Sequence, residues 1–207
     1  MDQNFIDAFI ERCPARARIL DLGAGHGRYS KLLAGRGHAV TAVSPDCDDP
    51  HLENVRWTRA DVTAWIAALE PDARFDAVFM RHSLQTLAPA YAQDVLAPAL
   101  LRHLQPGGVI AIETFFADSK PASSVPFASY WSAKKLHRLF AGLEVLRSEQ
   151  YEQDRETRGG GEKLFRLADI IVKKPAARQD QPSRFAGFTR PSAAASGSVS
   201  LMQYLPR

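Results

Sequence analysis

The chain has 207 residues, 45% of them hydrophobic, and carries a net charge of +3. That length supports one good-sized core in one domain. The first residues lack the basic and apolar regions of a signal peptide, and no run approaches the ~18 apolar residues of a membrane span. Cys13 and Cys47 stand at no metal-ligand spacing and form no disulfide framework, so a cytoplasmic protein with free thiols and no bound metal is expected. The charge is uneven: residues 173–207 hold six basic groups and one acid, leaving −2 on the rest. A nucleic-acid enzyme carries its basic patch on the folded body, so neither nucleic acid nor membrane is expected as a partner. The oligomeric state is left open.

Phe5, Ile6, Phe9 and Ile10 recur near helical spacing and predict an amphipathic helix over Asn4–Arg12, stopped by Pro14. Ala17–Leu22 is a buried strand, followed by a glycine loop and a helix from Tyr29 that ends near Gly35 and Gly37. His38–Val43 is strand two, residues 44–50 a turn-rich loop, and Val55–Trp57 a short strand three. Ala60-Asp61-Val62 leads into a helix over Thr63–Leu69, and Phe75–Met80 is strand four. After a loop over Arg81–Pro89 come a helix over Tyr91–Leu104, a turn at Gln105-Pro-Gly-Gly108 and strand five over Val109–Thr114. A Ser/Pro-rich loop, Asp118–Pro126, is a reasonable lid. It precedes a helix over Tyr130–Phe140 and two strands, Leu143–Tyr151 and Lys163–Val172, that form a hairpin around Gly159–Gly161. Strands and helices alternate with short connections, which predicts an α/β protein with a doubly wound parallel sheet. Residues 1–174 are the expected domain. Residues 175–207, rich in Pro, Ser and Ala, are the expected disordered basic tail.

The stretch that organises the chain is Asp21-Leu22-Gly23-Ala24-Gly25-His26-Gly27-Arg28. A strand, a glycine loop and a helix in that order bring backbone N–H groups and a helix N-terminus onto a ligand. A dinucleotide fingerprint needs glycine at position 28, where Arg28 stands. The pattern is instead D-x-G-x-G-x-G with an acid at the strand end. A pyrophosphate wants N–H donors and has no use for that carboxylate.

This pattern resembles motif I of the class I S-adenosylmethionine-dependent methyltransferases. The resemblance covers about residues 2–174 and implies a Rossmann-like, mostly parallel seven-stranded sheet closed by a C-terminal antiparallel hairpin. The implied cofactor is S-adenosylmethionine, held by Asp21, Gly23, Ala24, Gly25, Gly27, Arg28 and Arg81. Ser44 stands where the family has a ribose-binding acid and cannot grip a diol as a carboxylate does. Either cofactor affinity is weaker, or the loop bends so that Asp46 substitutes. Asp61 and Val62 match the family's adenine pair, although Asp61 can equally be the cap of the helix that follows.

Val125-Pro-Phe-Ala-Ser-Tyr, Gly142-Leu-Glu-Val and Leu164-Phe-Arg-Leu-Ala-Asp-Ile-Ile-Val-Lys narrow the resemblance to the tellurite-resistance and thiopurine type methyltransferases, which act on soft nucleophiles. A His-Arg pair and a second Arg that contact the substrate there fall by position on Asp154, Arg155 and Arg166. Asp154 would repel an oxyanion, which counts against tellurite and leaves a thiol or another small acceptor. Arg155 and Arg166 can equally be solvated hairpin charges.

His82, at the end of strand four, is the best-placed base, or else a loop histidine packing on the cofactor. His26 and His38 read as loop positions without partners, and Trp57, Trp65 and Trp131 as core or lid residues. The expected activity is methyl transfer to a small acceptor. Against it stand methylation of a macromolecule, for which no amine-methylation motif follows strand four, a methyltransferase-fold binding module without catalysis, and a nicotinamide oxidoreductase, which Arg28 disfavours.

Overall fold

The computed structural model describes residues 3–46, 53–116, 127–156 and 162–176, with the side chains of 3, 155, 156, 162 and 163 excepted. The expected tail beyond residue 176, the hairpin turn at Gly159–Gly161 and the loop at 118–126 therefore lie outside the described residues. Helix α1 (Gln3–Arg12) is followed by β1 (Arg18–Leu22), α2 (Arg28–Gly35), β2 (Ala39–Val43), β3 (Val55–Thr58), α3 (Val62–Ala67) and β4 (Phe75–Arg81). Then come a 3-10 turn (Leu84–Thr86), α4 (Pro89–Tyr91), a π turn (Ala92–Leu96), α5 (Ala97–His103), β5 (Leu104–Phe115), α6 (Ala133–Leu139), β6 (Glu144–Glu156) and β7 (Glu162–Lys173).

The seven strands form one sheet in the order β3-β2-β1-β4-β5-β7-β6. The first five pair in parallel, and β7 runs antiparallel between β5 and β6. The order reverses between β1 and β4, which puts the switch point at the carboxyl end of β1, where Leu22 hands over to the glycine loop. Two apolar layers cover the sheet. Phe5, Ile6 and Phe9 of α1 pack with Ile19, Val40, Phe79 and Ala111 on one face. Leu20, Val43, Met80, Ile112 and Ile170 face the longer cluster with Leu96, Leu100, Trp131 and Leu136 on the other. The alternation of Ile19 with Leu20, and of Phe79 with Met80, follows from the two-residue period of a strand.

Several boundaries differ from expectation for local reasons. The helix expected from Tyr91 begins at Pro89, since proline at a first helical position loses no hydrogen bond. Its middle widens into the π turn just before Pro98. Pro98 has no N–H to offer the carbonyl four residues earlier, which removes one α-helical rung there. The helix expected over Tyr130–Phe140 starts only at Ala133, where the Ser132 hydroxyl caps it by accepting from Lys135 N at 3.4 Å. Strand β6 runs on to Glu156, longer than expected, because past an irregularity at Leu146 its pairing with β7 continues without a break to Glu156 opposite Glu162.

Candidate functional site

Two halves meet at the carboxyl edge of the parallel strands. In the first, β1 delivers Asp21 and the glycine loop. Asp21 is buried, and the Ser30 hydroxyl of α2 donates to it at 2.6 Å. Burial pushes its carboxyl up to about 6, against the opposing effect of that hydrogen bond. The N–H groups of Gly23 and Ala24 both donate to Val43 O, at 2.8 and 3.0 Å, and lock the loop to the end of β2. Gly25 faces open space, so a side chain there would fill the cradle.

Two of the glycines are fixed by close approach as well as by backbone. Gly23 has φ +81, and a Cβ on it would lie 2.3 Å from Ser83 Cβ. Ser83 itself donates to Leu22 O at 2.8 Å, so β1 and β4 are tied across this glycine. Gly27, the cap of α2, has φ +74, and a Cβ on it would lie 1.8 Å from the Trp57 ring. Trp57 thus covers the glycine loop from β3, and its buried Nε1 has no hydrogen-bond partner among the described residues. Arg28 is exposed and stacks over Tyr29, 5.6 Å from the ring centre.

The positions expected to hold the nucleoside are more occupied than the sequence suggested. Ser44 is buried, and its hydroxyl accepts from Asp46 N at 3.2 Å. The Asp46 side chain is exposed, so the two form a small turn. Asp61 caps α3: its Oδ1 accepts from Ala64 N at 2.8 Å and from the Thr63 hydroxyl. Those bonds hold the exposed carboxylate below its usual range, the Thr63 hydroxyl contributing most. Val62 is buried in the core behind it.

In the second half, β4, β5 and β6 bring together four side chains. Glu113 of β5 is fully buried. Arg81 Nε donates to its Oε1 at 2.6 Å, His82 Nε2 lies 2.7 Å from the same oxygen, and the Tyr151 hydroxyl donates to Oε2 at 2.7 Å. Burial alone would push the Glu113 carboxyl up. His82, Arg81 and Tyr151 together overcome that and hold it at about 2. Arg81 also lies over the Tyr29 ring of α2, 4.8 Å from its centre, which links the two halves. His82 has φ +54, uncommon for a residue with a side chain. Beside it an aromatic wall begins: Phe115 lies 4.9 Å from both His82 and Phe127, with Phe165 5.9 Å from Phe115 and Tyr130 5.9 Å from Phe127.

Arg166 Nε donates to Glu152 across the hairpin at 2.9 Å, both side chains partly exposed, and Asp154 is exposed. The Arg155 side chain lies outside the described residues. Glu113 and Tyr151 were not identified from the sequence. Glu113 sits within an apolar strand with no motif around it, and only its exception to that strand's character could have drawn notice. One expectation is corrected: His38 is buried and its Nδ1 accepts from Ala17 N at 3.2 Å, so it joins β1 to the start of β2. His26 is not free either.

Trp131 is in the core and Trp65 packs near Phe75, as expected. Among the described residues no group of acids, histidines and cysteines could hold a metal, and no helix is long and apolar enough to cross a membrane.

Comparison with known proteins gives this site a context. A trans-aconitate 2-methyltransferase from Azoarcus sp. (strain BH72) is 38% identical over 104 residues, 47% of this chain and 38% of that protein. A malonyl-[acyl-carrier protein] O-methyltransferase from Enterobacter lignolyticus (strain SCF1) is 36% identical over 130 residues, 58% and 49% of the two chains. This chain thus spans half or less of these curated relatives. Among solved structures, TehB from Haemophilus influenzae superposes with a TM-score of 0.64 at 19% identity, covering 84% of this chain and 62% of that one. A 1,6-didemethyltoxoflavin-N1-methyltransferase from Burkholderia thailandensis, solved with S-adenosylhomocysteine, gives 0.59 at 22% identity over 82% and 75%. Identities this low show a shared fold. A methyltransferase domain model matches residues 3–154, most of the folded part, and on that match the chain belongs to the methyltransferase domain family.

Proposed function

We propose that this protein transfers a methyl group from S-adenosylmethionine to a small-molecule acceptor whose reacting atom is a soft nucleophile, a thiol or a chalcogen oxyanion. The observation that carries the reading is the buried Asp21 beneath a loop of three left-handed glycines at the switch point of the sheet. A buried carboxylate whose hydrogen-bond donor is a neutral hydroxyl suits the ammonium of a methionine moiety. Gly25, Gly27 and the start of α2 form the cradle around it. Ser44 and Asp46 stand at the ribose position, Asp61 and Val62 at the adenine position, and Arg28 and Arg81 at the rim. His82, Arg155 and Arg166 are assigned to the acceptor side.

When bound, the cofactor supplies an electrophilic methyl group on a sulfonium, and transfer is an in-line displacement in which the acceptor's lone pair forms the new bond while the S–C pair returns to sulfur. The chain's part is to hold the acceptor near attack distance with water excluded. The aromatic wall of Phe115, Phe127 and Phe165 suits that exclusion. His82 takes the proton of an acceptor that arrives protonated. A soft anion needs no base. A cytoplasmic setting agrees with Cys13, a free thiol whose burial pushes its pKa up to about 12.

The test is calorimetric titration with S-adenosylmethionine and S-adenosylhomocysteine, repeated with Asp21→Ala. Micromolar binding, about −8 kcal/mol, that is lost in the variant is expected. An absence of binding at millimolar ligand in the wild type would overturn the reading and favour a binding module, the alternative that Ser44 suggests. A second reading, an oxygen acceptor, is favoured by the names of the trans-aconitate and malonyl-[acyl-carrier protein] relatives. Parallel mass-spectrometric assays with thiols and with di- and tricarboxylates separate the two, because only the right class gives a methylated product.

A further inference from the structure

We infer that Glu113 is the positioning residue of the acceptor side: it fixes His82 and Arg81 where β4 ends, and it acts through them without touching the acceptor. This rests on the methyltransferase reading above and adds a residue to it.

Three independent contacts converge on one carboxylate. Its Oε1 meets Arg81 Nε and His82 Nε2, and its Oε2 accepts from Tyr151. The backbone repeats the link, since His82 N donates to Glu113 O at 2.9 Å. His82 is therefore held to Glu113 by main chain and side chain together. That matters because His82 sits at φ +54, where a residue with a Cβ stays only when its surroundings over-determine it. The neighbouring residues do the same: Gln85 Nε2 donates to His82 O at 2.6 Å.

The charges are balanced to keep the carboxylate ionised. Glu113 faces Arg81 and His82 from β4 and Tyr151 from β6. In register opposite it on β7 is Asp169, a second fully buried acid. Asp169 has its own cation, with Arg147 Nε donating at 3.0 Å and Glu149 N at 3.1 Å. Burial still pushes the Asp169 carboxyl up to about 6 against those partners, whereas Glu113 is held low by its own three. A buried carboxylate against an imidazole stabilises positive charge on the ring, which is the logic by which an acid orients and supports a histidine base.

The experiment is a pH titration of the six histidine side chains by long-range proton–nitrogen NMR in the wild-type protein and in Glu113→Gln, with His82→Gln to assign the resonance. S-adenosylhomocysteine binding by calorimetry is measured on each variant. The expected result is a fall of about one pH unit or more in the His82 midpoint of Glu113→Gln, with the ligand's Kd changed less than about threefold. A His82 midpoint that does not move overturns the inference. So does a variant that loses both its dispersed spectrum and its ligand binding, which would make Glu113 a structural residue only. Tyr151→Phe is the milder companion. It removes one donor to Glu113 and leaves the carboxylate more basic, so the His82 midpoint should rise. A fall there would contradict the inference. If the wild-type protein fails to bind S-adenosylhomocysteine, the methyltransferase reading falls, whereas an unmoved His82 with ligand bound sinks only the role of Glu113.

Discussion

Asp21 and Glu113 are both buried carboxylates at the carboxyl end of the sheet, yet their environments drive them in opposite directions. Asp21 has one hydroxyl donor, and burial wins, so its pKa rises to about 6. Glu113 has a guanidinium, an imidazole and a phenol, and these outweigh burial, so its pKa sits at about 2. The difference teaches what each half of the site is built for. Glu113 carries its counter-charges inside the fold and is finished without a ligand. Asp21 has no cation among the described residues, and its ionised form is stabilised by whatever positive group comes to it.

The strongest way to break the cofactor half is Gly27→Ala. Its Cβ would drive into the Trp57 ring at 1.8 Å, and φ +74 strains any side chain. Loss of S-adenosylhomocysteine binding by about 100-fold or more and a clear fall in Tm are expected, the first by calorimetry and the second by thermal denaturation. An unchanged Kd would mean that the loop tolerates movement and that its shape does not set affinity.

Glu113→Gln comes next. It leaves Arg81 and His82 without their buried anion, at a cost on the order of 3 kcal/mol. For a carboxyl held below its unfolded value, the stability it adds is full above about pH 4.5 and is lost as pH falls towards about 2. Wild-type protein should therefore lose stability across that window, and the variant should show a flatter acid limb in urea unfolding followed against pH.

Asp21 gives the opposite sign. Its folded pKa lies above the unfolded one, so the native state binds a proton more readily. Stability is then fully present below about pH 4 and falls as pH rises to about 6. Asp21→Asn should raise Tm at pH 7.5 while weakening S-adenosylmethionine by about 10–100-fold. In the wild type, cofactor affinity should drop as pH is lowered through 6, because the protonated acid cannot pair with an ammonium. Equal affinity at pH 5.5 and 7.5 would remove Asp21 from the ammonium site. The smallest effect belongs to Arg166→Ala. Its pair with Glu152 is partly exposed, so stability should change by about 0.5 kcal/mol or less. A rise of more than about threefold in acceptor KM would show that Arg166 serves the acceptor.

The cofactor half was legible because it is local. Asp21, the glycines and the helix after them lie within one strand–loop–helix unit, where spacing alone states the backbone geometry. Asp61 shows the limit of that method: its position fits both an adenine ligand and a helix cap, and the structure supplies the cap. The acceptor half was only half legible. His82 could be placed at the end of a strand, but its partners Glu113 and Tyr151 lie 31 and 69 residues further on, brought close by strand pairing. Ser83 and Trp57 are similar, since nothing in their own neighbourhoods says that each stands against a glycine of motif I.

By itself the sequence determined the alternation of strands and helices, the switch point and the acid-plus-glycine loop. These depend on hydrophobic period and on which residues accept a left-handed backbone, and both are properties of short stretches. Only the tertiary structure decided which buried carboxylate is neutralised and which is not. Charge balance in a low-dielectric interior depends on atoms within a few ångströms, and the sheet gathers those atoms from strands far apart in the chain.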